Sequence, residues 1–297
     1  MIISYVSSVM DAEDFAALFQ DKQTMPFQQG QKYHRLMMEG LATNGAIVHA
    51  CSARPVTKGN CKRKFLPRQT RQVHPGLTYR YASVLNIPVL KNFWQMAAAY
   101  HAICREKRQG TNAVLCDVLN ASAAFGAALA AKRKKLPCLG IVTDLPELLV
   151  TGVRKGRTRL VHKTIGLCSG YVFLTEAMND RLNKAGKPYT VIEGVCDGKM
   201  QKMQKPASSE NAPLICLYAG YLDERYGVKM MVDSFLQCAH PHAELHIFGS
   251  GPYAKTLSDL VKTHPCLHFH GTKLNEEIVQ AERKAHLLLN PRPPEEA

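Results

Sequence analysis

Glycines punctuate the ends of two apolar runs late in the chain. Gly220 and Gly227 lie in LICLYAGYLDERYGVKMMVDSF, and Gly249 and Gly251 in ELHIFGSGPYAKTLSDL. An apolar run, a glycine turn and a helix-period segment aim backbone N–H groups at whatever sits above a sheet, which is how α/β proteins hold phosphates. The chemistry this suggests is binding of a nucleotide-type ligand, although a plain strand-to-helix turn uses glycine in the same way. Basic residues form the other constellation. Lys62, Arg63, Lys64, Arg68 and Arg71 fall in a polar stretch, and Lys132, Arg133, Lys134 and Lys135 close a helical segment, where cations are favourable in any case. Arg154, Lys155, Arg157, Arg159 and Lys163 alternate with Val153, Leu160, Val161 and Ile165. That pattern fits a basic helix on anionic lipid, and it fits a solvated face equally well. Metal has no evident seat. The ten cysteines include no C-x-x-C pair, and Cys116, Cys138 and Cys216 stand inside apolar runs, where a thiol is a small core residue. The twelve histidines are scattered, and H-P-H at His240 and His242 reads as a loop.

These residues must be carried by a chain of 297 residues, enough for two domains with cores of their own. The formal charge of +14 is uneven. Residues 1–210 hold 30 Lys and Arg against 14 Asp and Glu, or +16, and residues 211–297 hold 8 against 10, or −2. Two jobs are implied, with an anionic surface or ligand for the first part. The opening IISYVSSV is too short and lacks the basic leader of a signal peptide, and no window approaches ~20 uninterrupted apolar residues. A reducing, cytoplasmic setting is expected, with any membrane contact peripheral.

Strand-like and helix-like segments alternate throughout. IISYVSSV, AIVHACS, AVLCDVL, PCLGIVTDLP, YVFLTE and YTVIEGVCD read as strands, and QKYHRLMMEGLATNG, KNFWQMAAAYHAICREKRQ, the alanine-rich NASAAFGAALAAKRKK and RTRLVHKTIGLCSG as helices. Residues 54–78 read as irregular or a short hairpin. The pattern predicts an α/β protein with parallel sheets covered on both faces. A first domain is expected over 1–197, a linker over 198–212 and a partial second domain over 213–297, with a cleft between two Rossmann-like sheets.

The order of segments resembles the family 4 glycosyltransferases, retaining enzymes of GT-B architecture. QQGQKYHRLMMEG looks like the family's glycine loop and first helix, IVTDLPELL its strand-end turn and VIEGVCD its crossover. YAGYLDERYG, LHIFGSGPY and LLLNPRPPEEA are similar to its donor-binding turns. The resemblance spans the whole chain and implies transfer of a sugar from a nucleotide diphosphate to a glycan or lipid-linked acceptor. It implies no metal and no cofactor, with the leaving phosphate taking the acceptor's proton. Gly30, Gly220, Arg225, Gly227, Gly249 and Gly251 would then hold the donor, joined by Glu295 and Glu296. Asp144 would orient sugar or acceptor, or serve as a cap. Arg154, Lys155, Arg157, Arg159 and Lys163 would meet acceptor or membrane.

The departures are specific. Tyr221 and Tyr226 stand where the family has Arg and Lys, so Arg225 substitutes only if the loop shifts. Thr143 precedes Asp144 in place of His, and Glu193 replaces Asn. The second domain stops short of the family's full length, so truncation and weak donor binding are expected. Two other classes compete. A nucleic-acid-binding module would use the basic half, but aromatics are not interleaved with its cations, and no nucleic acid is expected. A nicotinamide oxidoreductase would share the fold, but no G-x-G-x-x-G follows a strand.

Overall fold

The computed structural model describes residues 1–19, 28–147, 155–198, 212–238 and 240–292. The chain divides into two compact units, Met1–Gly198 and Lys199–Ala297. In the first, β1 (Ile2–Ser7) leads through α1 (Ala12–Leu18) and α2 (Gln28–Thr43) to β2 (Ile47–Ser52). Then come β3 (Phe65–Leu66), β4 (Gln69–His74), β5 (Leu77–Tyr81), β6 (Val84–Leu85) and α3 (Leu90–Arg108). β7 (Ala113–Asp117), α4 (Ala121–Arg133), β8 (Cys138–Val142), α5 (Lys155–Leu167), β9 (Gly170–Phe173), α6 (Glu176–Leu182) and β10 (Tyr189–Val191) complete it. The sheet order is β10-β9-β8-β7-β1-β2-β5-β4, parallel except for the β4–β5 hairpin. Its central strands are buried on both faces, so their apolar runs are continuous rather than alternating.

Residues 54–78, read as irregular or a hairpin, supply that hairpin, and β5 also pairs with β2 in register Val48↔Leu77 to Ser52↔Tyr81. The alanine-rich segment is α4, and eight of its small residues are buried. A Cβ on Gly126 would lie 2.9 Å from the Met96 carbonyl carbon, so glycine is what lets α4 meet α3 backbone to backbone.

The second unit holds β11 (Leu214–Tyr221), a 3₁₀ turn at Glu224–Tyr226, α7 (Val228–Cys238), β12 (Ala243–Ser250) and α8 (Ala254–Leu260). β13 (Leu267–Gly271), α9 (Asn275–Glu282) and β14 (Leu287–Leu288) follow. All four strands are parallel in the order β13-β12-β11-β14. Val228, Met231 and Val232 of α7 join Leu245, Ile247 and Leu257 in a core on one face. Leu217, Phe248 and Ala285, with Ile278 and Ala281, pack on the other.

Candidate functional site

In the second unit the chain steps outward from β11 to β12 and β13, then returns to the far side of β11 as β14. A reversal of this kind opens a crevice at the carboxyl ends of the strands, where open α/β sheets take their ligands. Residues 222–227 border it after β11, and residues 289–292 after β14. Asp223 caps the 3₁₀ turn, accepting from the Arg225 backbone N–H at 3.0 Å. The same carboxylate takes Arg225 Nε at 3.0 Å and Nη2 at 2.6 Å. These bonds hold the Asp223 carboxyl below its ordinary range and leave Arg225 with its charge already matched. Gly227 ends the turn at φ +76°, a conformation that favours glycine. The Tyr226 ring meets Tyr221 edge-on, with centroids 6.0 Å apart. The Arg292 guanidinium stands 5.1 Å over the Tyr226 ring. Arg225 and Arg292 are both exposed there, and among the described residues Arg292, unlike Arg225, has no carboxylate paired with it.

The other glycines are closely packed against the chain itself. Gly249 and Gly251 adopt φ +139° and +157°. A Cβ on Gly249 would overlap the Gly220 carbonyl, and one on Gly251 would lie 2.8 Å from Leu222 N. A Cβ on Gly220 would reach Tyr218 Oη at 2.6 Å. Gly249 and Gly251 therefore let the exits of β11 and β12 press together, stitched by Leu222 N–H to Ser250 O at 2.9 Å and Tyr253 N–H to Leu222 O at 3.0 Å, while Gly220 makes room for the Tyr218 hydroxyl of its own strand.

In the first unit the equivalent reversal lies between β1 and β7. A buried chain of polar groups sits there that the sequence reading did not single out. Tyr5 Oη and His34 Nδ1 are 2.6 Å apart, and His34 Nε2 is 3.5 Å from Asp117 Oδ2. Burial lowers the His34 pKa and Asp117 only partly opposes it, so a neutral imidazole accepts from Tyr5 and turns its Nε2–H toward Asp117. Asp117 also accepts the Leu119 N–H at 3.0 Å. Gln31 takes the Met10 N–H at 2.9 Å and donates to Ser8 O at 3.0 Å, tying the β1 exit to α2. The signal in the sequence was an Asp closing an apolar run, AVLCD.

Asp144 is exposed just past β8, on the same carboxyl edge as Asp117. Arg157 reaches that edge too, donating to Leu119 O at 3.0 Å. Gly30 lies within the first turn of α2, not in a loop before it, and nothing comes within 4 Å of the space a Cβ would fill. Arg159 and Lys163 are exposed on α5, which begins at Lys155. The apolar partners expected to enter lipid are not available, because Val161 and Ile165 are buried in the first core and Leu160 packs against it. The outer face of α5 is cationic without an apolar stripe. Arg154, Val153, Glu295 and Glu296 lie outside the described residues. The first unit also holds a cavity of about 300 Å³ beneath α3, lined by Arg68, Arg80, Arg105, Gln69, Gln95 and Thr70 among others.

No protein-family model and no curated protein matches the chain. Solved structures do. The catalytic domain of starch synthase IV from Arabidopsis thaliana, bound to ADP and acarbose, matches 98% of this chain and 78% of its own, with 11% identity and TM-score 0.63. The lipopolysaccharide outer core galactosyltransferase WaaB in apo form matches 97% and 73%, with 12% identity and TM-score 0.58. The fold is of the GT-B class. A third GT-B likeness has a different printed activity: the UDP-GlcNAc 2-epimerase of Methanocaldococcus jannaschii matches 97% and 78%, with 11% identity and TM-score 0.57. At such identities the GT-B likeness establishes architecture, and the reaction must be argued from the site.

Proposed function

We propose that the protein is a glycosyltransferase that moves a sugar from a nucleotide diphosphate donor to a glycan or lipid-linked acceptor. The observation that carries this reading is the crevice between β11 and β14. There Arg292 stands over Tyr226 beside the glycine turn that opens α7. An exposed guanidinium, an aromatic face and the main-chain amides at the start of α7 suit a diphosphate and its base. Transfer builds negative charge on the leaving diphosphate, and fixed donors lower the barrier by stabilising it. The reading asks for no metal in that role. Retention of configuration, with the leaving phosphate accepting the acceptor's proton, belongs to the same proposal, as does an orienting part for Asp144. Anabaena HepE, solved with UDP and with UDP-glucose, shows 13% and 14% identity at TM-scores of 0.59 and 0.58, which supports a uridine nucleotide as the first donor to try. A cytoplasmic protein docked peripherally on the inner face of a membrane fits the basic first unit. Among the described residues no helix is long and apolar enough to cross a membrane.

Calorimetric titration with UDP, ADP and UDP-glucose tests the site. Binding is expected, weakened about tenfold or more in Arg292→Ala. Equal affinity in that variant, or no binding of any nucleotide, would remove the reading. The epimerase likeness favours a second reaction at the same crevice, inversion of a stereocentre on the bound sugar with no acceptor. Product analysis separates the two: sugar recovered on an acceptor means transfer, and an isomerised nucleotide sugar means epimerisation.

A further inference from the structure

The sheet of the second unit carries another constellation, away from its carboxyl edge. On the face shared with Phe248, α9 packs over β11 through Ile278 and Ala281. Beside that cover, β12 presents Glu244 and His246, and β13 presents His268 and His270. Alternate residues of a strand share a face, and the parallel register sets His246 next to His268. Their rings stack with centroids 4.6 Å apart. Glu244 Oε2 lies 3.2 Å from His246 Nε2 and 3.6 Å from His268 Nε2. The second separation is too long for a hydrogen bond, and His268 Nε2 has no hydrogen-bond partner although almost no solvent reaches the atom. A buried imidazole nitrogen left without a partner is costly, and a ligand bond would remove that cost.

We propose that Glu244, His246 and His268 form a binding site for a divalent transition-metal ion of the zinc class. Tetrahedral bonds of about 2.0–2.1 Å place ligand atoms roughly 3.3 Å apart, and the two Glu–His separations straddle that value. The three ligand atoms all lie within 4.8 Å of one another, so small side-chain rotations close the third edge. Two imidazoles and one carboxylate select zinc, copper, nickel or cobalt over magnesium and calcium, which want oxygen. His270 supplies the outer support. Its Nε2 is 3.0 Å from His246 Nδ1, so a proton on Nδ1 donated to His270 leaves the His246 Nε2 lone pair aimed at the ion. The opposite tautomer satisfies Glu244 and His246 without an ion but still strands His268 Nε2. The side chains of Glu244, His246 and His268 keep 36%, 23% and 36% exposure, which gives the ion an entry path and a fourth position for water. Among the described residues a second convergent group, Cys116, Cys138 and Cys168, is sealed inside the apolar core of the first unit and has no such path.

The site is independent of the nucleotide reading, and its test uses the full chain. Chelator-stripped protein is titrated with cobalt and then zinc by calorimetry and visible absorption. His246→Ala, His268→Ala, His270→Ala and Cys168→Ser are run alongside. The expected result is one equivalent of cobalt with d–d bands, no thiolate charge-transfer band, and displacement by zinc. His246→Ala and His268→Ala each weaken binding at least ~10-fold, His270→Ala weakens it less, and Cys168→Ser leaves it unchanged. Unaltered melting of the metal-free variants shows that they fold. Affinity unmoved by both ligand-histidine variants, a thiolate band that disappears in Cys168→Ser, or no stoichiometric binding would each overturn the assignment. UDP binding by the stripped protein reads out the other site separately.

Discussion

Glu106 on α3 is sealed from solvent at 0% exposure, with His49 Nδ1 at 2.8 Å and the Arg80 guanidinium on its two oxygens. Burial alone would raise its pKa, but the bonds from His49 and Arg80 outweigh that and hold the carboxyl below its ordinary range. Its stabilising contribution is therefore complete above about pH 4.5 and is lost as pH falls through the lower folded value. His34 acts in a higher window. Its folded pKa lies below 6.5, so on acidification the unfolded chain binds a proton that the folded chain refuses, and stability drops. Melting followed by circular dichroism should thus decline in two stages, the first beginning near pH 6.5 and shrinking in His34→Gln, the second near pH 4.5. Glu106→Gln should cost ~3 kcal/mol at pH 7, because the partners of a buried charge are left unmatched. Gly249→Ala should cost at least ~3 kcal/mol as well, since no side-chain movement relieves a clash with the Gly220 carbonyl; urea denaturation measures it. The sequence marked Gly249 and Gly251 through the spacing G-S-G-P, but not that neighbouring backbone claims their space. Arg292 was not legible at all, because its aromatic partner Tyr226 comes from a loop more than sixty residues earlier. The histidine face was legible in part. E-L-H and H-F-H both repeat with period two, but only the pairing of β12 with β13 brings them together.

Among the elements, α4 shows how composition becomes geometry. Its alanines are buried against the sheet, α3 and α5, and Gly126 permits the closest approach. Gly126→Val should destabilise the first unit by ~3 kcal/mol or more, whereas Gly40→Ala, at an open and exposed position of α2, should stabilise it by ~0.5–1 kcal/mol. Paired thermal melts distinguish the two signs. The buried strands and long helices were readable from period and length. β4 was not, because five of its six residues are polar and it lies at a sheet edge, where burial enforces no alternation. α5 was read correctly as a basic helix, but its apolar residues serve the core rather than a bilayer. One helix can carry both patterns, and composition alone does not say which side is wet.

At the scale of the molecule, the charge contrast read from the sequence falls largely along the division into two units, and each unit has its own core. Binding to vesicles containing anionic lipid should therefore be electrostatic. Sedimentation at low salt should show association that raised ionic strength abolishes, and because Trp94 sits among the exposed Phe65, Val89, Leu90 and Phe93, its fluorescence should stay unshifted when the cationic outer face of α5, and not that apolar patch, makes the contact. A blue shift on binding would contradict this. One further consequence follows from β14. Leu287 and Leu288 are 49% and 59% exposed, and among the described residues no strand pairs with the outer side of that ladder. Greasy side chains beside peptide groups that no described strand claims favour stacking of copies in concentrated preparations. Replacing both leucines with threonine keeps the strand's β-propensity and should raise the concentration at which light scattering still reports a single small particle.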